Sequence, residues 1–374
     1  MKHHLKEDMI AALNLEEPET VPVAPYISTN YAPKLLGLKI SEVVLGSNEL
    51  KAKVILNAFQ RHRYNWIMVG ENRPSNWLEN VKIIDRGARY ELFDKRSGEL
   101  LHILPKDDTP LYGQWSGLGD VKIDDAVEKM ESEIEDYKTI LKKGRCEVAK
   151  IVSQKAGKEA LITGVLGAPF GEVACRLGLK ETMICLYKKP NLIKKLSELV
   201  VKRYMEEAKA LIEAGAEAFW IEEVFAGTDT ISPRHFEELA LPYEKDQVEA
   251  LKRLGVYAIF YFCGNPMLII EKIAAINAHA YAFEEDKKSF RIDMVHIRNI
   301  LKNKACLFGN FDAIYTLRSD PKKVEESVKD MVLKLAPGGG FVLGTGSPVM
   351  KDTPPENVDT MITTARKYGK VKAV

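Results

Sequence analysis

A chain of 374 residues, 46% of them hydrophobic, suffices for one large barrel with additions or for two domains built around ordinary globular cores. Its 54 Lys and Arg nearly balance 53 Asp and Glu, so no bulk field draws it to nucleic acid or to an anionic membrane. No apolar run approaches a membrane span, the N-terminus has no signal core and five scattered cysteines make no disulfide framework, so a cytoplasmic protein with reduced thiols is expected.

In chain order, the first apolar runs, 21–27 and 66–70, read as strands. The alternating segment Arg89-Tyr90-Glu91-Leu92-Phe93-Asp94, a Lys95-Arg96-Ser97-Gly98 turn and the run from Glu99 to Leu104 then predict a β-hairpin. A charged, solvent-facing helix is expected from Glu131 to Lys143. Together, residues 75–155 read as an insertion after the second strand that caps one end of the fold. Strand 161–167 follows. An apolar stripe through Leu192, Leu196, Leu199, Tyr204, Ala208 and Leu211 marks a helix stopped by Gly215. Strands at 218–224, 257–263, 278–284, 304–310 and 341–345 complete the set, several of them apolar throughout, as when both faces are covered. Ser232-Pro233 and Asp320-Pro321 place a capping side chain before a first-turn proline, and Thr353-Pro354-Pro355-Glu356 reads as a capping box. Eight strands with helical crossovers predict an α/β protein, a single (β/α)8 TIM barrel over 1–374.

Residues able to do chemistry cluster at the strand ends, where such barrels work. Tyr261 and Cys263 lie two apart on a strand and project to one side, although a buried cysteine also reads as a small hydrophobe. A strand-end carboxylate at Glu223 suits a metal ligand, a substrate acceptor or a base, and equally an ion pair. Alternation turns only one of Glu284 and Glu285 inward, and Asp286-Lys287-Lys288 reads as a solvated loop. Asn310 and Asp312 are placed to orient a substrate, while Asn also forms turns. The backbone of Gly344-Thr345-Gly346-Ser347 suits an anionic group. His62, His235 and His296 sit in helical patterns and read as surface or packing residues.

Tyr261-Phe262-Cys263-Gly264-Asn265, Gly309-Asn310-Phe311-Asp312, the stretch from Gly338 to Ser347 and Thr353-Pro354-Pro355-Glu356-Asn357, in this order and spacing, resemble the uroporphyrinogen decarboxylase superfamily. The likeness is greatest to its corrinoid and coenzyme M methyltransferase branch. It runs from Glu17 to Gly369 and implies the same barrel. It also implies strand-end zinc ligands, a His-x-Cys pair and a second Cys, which fall here on Tyr261, Cys263 and Ser347. Registered on Ile231-Ser232-Pro233, the family's strand-four acid falls on Glu223, and its strand-six acid on Glu284.

From these strand-end positions, Cys263 and Glu223 are expected as metal ligands, and Tyr261 and Glu284 as catalytic groups, with Tyr261 giving a proton to a leaving oxygen. Asn310, Asp312 and Ser347 are the implied substrate-binding residues. The implied activity moves a methyl group between a small methylated donor or thiol and a corrinoid protein, the corrinoid being carried by that partner. Zinc is the implied metal, held more weakly because one imidazole and one thiolate are missing. A homodimer is compatible with this reading, and nucleic acid and membrane are not among its partners. Two alternatives stand beside it. One is a metal-free binding or regulatory barrel that has lost catalysis. The other is uroporphyrinogen decarboxylase itself, disfavoured because segment 28–34 has no arginine to pair with a polycarboxylate.

Overall fold

A computed structural model describes residues 4–28, 30–106 and 122–370. The strands in chain order are β1 (Val23–Ala24), β2 (Trp66–Val69), β3 (Val81–Asp85), β4 (Arg89–Asp94), β5 (Leu100–Pro105), β6 (Leu161–Gly167), β7 (Ala218–Glu223), β8 (Tyr257–Phe262), β9 (Ala280–Phe283), β10 (Cys306–Phe308) and β11 (Phe341–Gly344). Eight of them form one parallel sheet in the order β1-β11-β10-β9-β8-β7-β6-β2, a nearly closed (β/α)8 barrel. Helices follow the strands and cover the outer face, which is why runs such as Ala218-Phe219-Trp220-Ile221 are apolar on both faces.

All eight expected runs carry a barrel strand. The first is much shorter than 21–27, because Pro22 and Pro25 have no N–H to give to a ladder. β1 and β2 share no ladder. Their seam is bridged by Asn65, fully buried: its backbone N–H donates to the Val23 carbonyl at 2.8 Å, its Oδ1 accepts from the Val23 N–H at 2.9 Å, and its Nδ2 donates to the Leu5 carbonyl at 2.8 Å.

The barrel interior is filled by aromatic rings. Trp220 stacks on Tyr261 with centroids 4.7 Å apart, meets Trp66 edge-on at 5.1 Å, and approaches Phe308 at 6.0 Å. Tyr26 stands edge-on to both Trp220 and Tyr261. The same alternation sends Phe262 outward, against Phe236 of the outer layer.

The expected hairpin is present as β4–β5, and β3 pairs antiparallel with β4 to make a three-stranded meander over its own small core of Trp77, Val81, Leu92 and Leu104. Of the expected insertion 75–155, residues 107–121 lie outside the described residues. The single helix expected over 131–143 is instead two, Ala126–Ser132 and Tyr137–Lys142, because Asp136 accepts from the N–H groups of Lys138 and Thr139 and starts the second. Ser232 and Asp320 cap as expected, whereas the Thr353 hydroxyl is buried without a hydrogen-bond partner and the helix Pro355–Tyr368 begins without a capping box. His62 is buried: its Nδ1 lies 2.7 Å from Asp359 Oδ1 and its Nε2 2.9 Å from the Tyr31 hydroxyl. None of the five cysteines is in a disulfide, and no helix among the described residues is long and apolar enough to cross a membrane.

Candidate functional site

β7 ends on two adjacent carboxylates, and the sheet sends them to opposite sides. Trp220 and Glu222 share the inner face. The Glu222 carboxylate accepts from the Tyr26 hydroxyl at 2.5 Å and from Trp220 Nε1 at 2.9 Å, at the level of Tyr261 on β8. Burial raises the Glu222 carboxyl above its ordinary range, with those two donors opposing.

Glu223 points the other way, into the layer between sheet and helices. It is fully buried and accepts from the N–H groups of Gly171 (3.0 Å), Phe225 (2.7 Å) and Ala226 (2.9 Å), the first at the start of helix Pro169–Leu177. Glu244, also fully buried, abuts it; burial and the Glu223 charge push the Glu244 carboxyl well up, and neither Glu244 oxygen has a hydrogen-bond partner. The expectation of Glu223 as a ligand beside Cys263 is therefore corrected: the inward strand-end acid is Glu222, and Glu223 is a structural anchor.

At the mouth itself, Cys263 is half-buried, and burial pushes its thiol up to about 12, only partly opposed by the Tyr261 hydroxyl. Tyr261 is buried and donates to the Gly346 carbonyl at 2.6 Å, tying β8 to the loop after β11. Its hydroxyl, pushed far above the usual phenol range by burial, is thus committed to the backbone and not free to protonate a leaving oxygen.

Glu284 is buried, and the alternation that sets Ala282 beside Tyr261 turns it to the inner side. Its Oε1 accepts from the Gly264 N–H at 2.8 Å and pairs with Lys288 Nζ at 2.8 Å, while its Oε2 pairs with Lys287 Nζ at 3.0 Å. Burial would raise this carboxyl, but the lysine hydrogen bonds hold it below its ordinary value, so Glu284 is an ionised anchor. The Lys287 ammonium also donates to Ser347 Oγ at 2.6 Å and stands 4.0 Å from Glu285 Oε1. Of the loop 286–288, expected to be solvated, Asp286 and Lys288 are exposed, and Lys287 alone is half-buried against Glu284 and Ser347. Glu285 is buried, neither of its oxygens has a hydrogen-bond partner, and burial raises its carboxyl.

Asn310 Nδ2 donates to the Glu284 carbonyl at 3.0 Å and so steadies that strand end. Asp312 departs from its expected role: its carboxylate accepts from the N–H groups of Ile314, Tyr315 and Thr316 and from the Thr316 hydroxyl, which holds a turn. Both residues, with Glu285, line a cavity of about 630 Å³ beside the barrel, walled on its far side by Met294, Asp330 and Met331. The backbone after β11 is not an open anion cradle either. Gly346 N–H donates to the Phe311 carbonyl, and a Cβ on Gly346 would run into the Glu285 backbone nitrogen, so only glycine allows this approach.

The uroporphyrinogen decarboxylase (URO-D) family profile matches residues 123–368, more than half of the chain. The protein belongs to the URO-D family. It is 27% identical to the methylcobamide:CoM methyltransferase MtbA of Methanosarcina mazei over 62% of this chain and 63% of that protein. It is 24% identical to the uroporphyrinogen decarboxylase of Trichodesmium erythraeum over 61% of this chain and 64% of that one. The match spans just under two-thirds of the length of each of these relatives. A solved methyltransferase from Methanosarcina mazei shares the fold over 97% of this chain and 98% of its own, at TM-score 0.68 and 20% identity.

For a zinc ion, the residues of this URO-D family member do not fit. Cys263 is the one soft donor at the mouth, Tyr261 and Ser347 are protonated hydroxyls, and Glu223 faces away. Among the described residues, no three His, Cys, Asp or Glu side chains form a group that could hold a metal. Sequence reasoning missed Tyr26, Glu222 and Lys287. The last had a signal, since Glu284 with Lys287 and Lys288 three and four residues on is ion-pair spacing, here realised in a loop.

Proposed function

We propose that this URO-D family member moves a methyl group between a small thiol or methylated donor and the corrinoid of a partner protein. The observation that carries the reading is the convergence of Glu222, Cys263, Glu284, Lys287 and Ser347 at the C-terminal mouth of the barrel, where β7, β8, β9 and β11 end. Such barrels assemble catalytic sites from the ends of different strands. The relative named as a methylcobamide:CoM methyltransferase supports the reaction class.

In the direction of thiol methylation, the substrate S–H gives its proton to the Glu222 carboxylate. The sulfur lone pair then forms the S–CH3 bond as the methyl leaves the partner's corrinoid, whose metal keeps the bonding electrons. A carboxyl raised by burial is closer to the working pH and therefore a better proton acceptor than an exposed one. Cys263, with its thiol pushed up to about 12, stays neutral and lines the site, and it is not the nucleophile. Glu284 holds Lys287, and Tyr261 holds the loop that presents Ser347.

The test uses the purified protein with free methylcobalamin in place of the partner and a series of small thiols, 2-mercaptoethanesulfonate first. Conversion of the methylcobalamin visible spectrum, together with an S-methyl product by mass spectrometry, is the expected result. The reverse assay supplies reduced cobalamin and methylated thiols, amines and ethers. Background rates in both directions would overturn the proposal.

A further inference from the structure

We infer that the Lys287 ammonium takes the place of a resident metal ion at this mouth, so that the protein binds no zinc and activates an anionic sulfur or oxygen of its substrate with a fixed organic cation. The inference deepens the methyl-transfer reading and, for what the cation acts upon, rests on it.

Three observations converge. Lys287 Nζ lies 2.6 Å from Ser347 Oγ and 3.0 Å from Glu284 Oε2, with Glu285 Oε1 at 4.0 Å, so one positive charge is already seated among the oxygens of three residues. Ser347 is the position where the resemblance places a thiolate ligand, and here its oxygen receives a hydrogen bond from the ammonium instead. Glu284, an ionised carboxylate beside Cys263, already receives Lys288 and the Gly264 N–H on one oxygen and Lys287 on the other, so a metal there would have to compete with two ammonium groups. An added dication would meet a fixed like charge and one neutral thiol, a poor exchange for its water shell.

The ammonium does for a thiol part of what a metal does. Proximity of a positive charge favours the thiolate over the thiol and lowers its pKa. The thiol proton leaves to Glu222, the S–CH3 bond forms and the methyl–corrinoid bond breaks, with Lys287 keeping its own three protons throughout. Because the proton passes only from the thiol to Glu222, the net charge of the mouth is unchanged, and the negative charge moves from that carboxylate to the sulfur, which the lysine stabilises.

Zinc binding, read independently of activity, tests this. Full-length protein is titrated with zinc against a chromophoric chelator, beside Tyr261→His/Ser347→Cys with Lys287 kept and the same pair combined with Lys287→Ala or Lys287→Arg. Wild type should not compete with the chelator. Removing the ammonium in the double-variant background should tighten zinc binding about tenfold or more, the scale at which groups around a metal act. Lys287→Arg should not tighten it, since the charge stays, and circular dichroism identifies any variant that is unfolded. Stoichiometric zinc in wild type, or equal zinc affinity with Ala and Arg at position 287, overturns the inference. In the activity assay, wild type should be indifferent to chelator, while Lys287→Ala should shift the pH dependence of thiol methylation upward relative to Lys287→Arg. Absence of methyl transfer in every protein would count against the methyl-transfer reading, and the zinc titrations would still decide the metal question.

Discussion

Glu222 and Glu223 are adjacent in sequence and opposite in the fold, and two substitutions separate them. Glu223→Ala removes the acceptor of three backbone N–H groups, at 3.0, 2.7 and 2.9 Å, of which Gly171 and Ala226 are wholly buried and Phe225 partly so. Orphaning a buried amide costs about 1–3 kcal/mol, so the loss should reach about 3–6 kcal/mol. Glu244→Gln, which replaces a buried, strongly raised acid beside Glu223 with an uncharged amide of the same shape, should stay within about 1 kcal/mol of the parent. Glu222→Gln keeps an oxygen for Tyr26 and Trp220 and should be equally mild in stability. It cannot accept the substrate proton, however, so methyl transfer should fall about 10²–10⁴-fold, the usual contribution of a positioned acid or base. Urea unfolding followed by far-UV circular dichroism and the methylcobalamin assay measure the two effects. A Glu223→Ala protein that is as stable as the parent but inactive, beside an active Glu222→Gln, would refute the assignment of the two faces of β7.

Asn65→Ala should destabilise the barrel by about 2–5 kcal/mol, because Val23 N–H and the Leu5 carbonyl lose their partners in a buried seam; urea midpoints check this. Gly346→Ala should cost about 1–3 kcal/mol through overpacking against the Glu285 backbone and should displace Ser347 from Lys287, read as lost stability with a weakened thiol KM. Burial holds the His62 imidazole below its usual range in spite of Asp359. The unfolded chain therefore binds a proton first as pH falls. The stability that depends on neutral His62 is complete above about pH 6.5 and declines below it, by at most about 1.4 kcal/mol per pH unit. His62→Gln should flatten that decline in urea midpoints compared at about pH 8 and about pH 5.

The barrel was legible because a strand covered on both faces is largely apolar, and eight predominantly apolar runs alternate with helical patterns. What pattern could not give was orientation at strand ends. Apolar neighbours at Phe219, Trp220 and Ile221 are buried on either face, so nothing local distinguishes an inward Glu222 from an inward Glu223; the decision is made by Tyr26 and Trp220 on one side and three backbone amides on the other. Lys287 was obscured for a different reason. A Lys pair after an acid is usually solvated, and only the approach of the loop after β11, permitted by Gly346, brings Ser347 within its reach. Strand β3 escaped notice because Val81-Lys82-Ile83-Ile84-Asp85 alternates poorly, and its place is fixed by pairing with β4.

The stacked rings inside the barrel make the protein its own optical probe. The Trp220 indole is at once hydrogen-bonded to Glu222 and stacked on Tyr261, so its emission depends on the charge of that carboxyl and on whatever shifts the ring beneath it. A ligand that takes up position at the mouth, or a proton that settles on Glu222, should therefore register as a change in intrinsic fluorescence. Trp220→Phe should silence the signal, which makes substrates discoverable by titration before any turnover is seen.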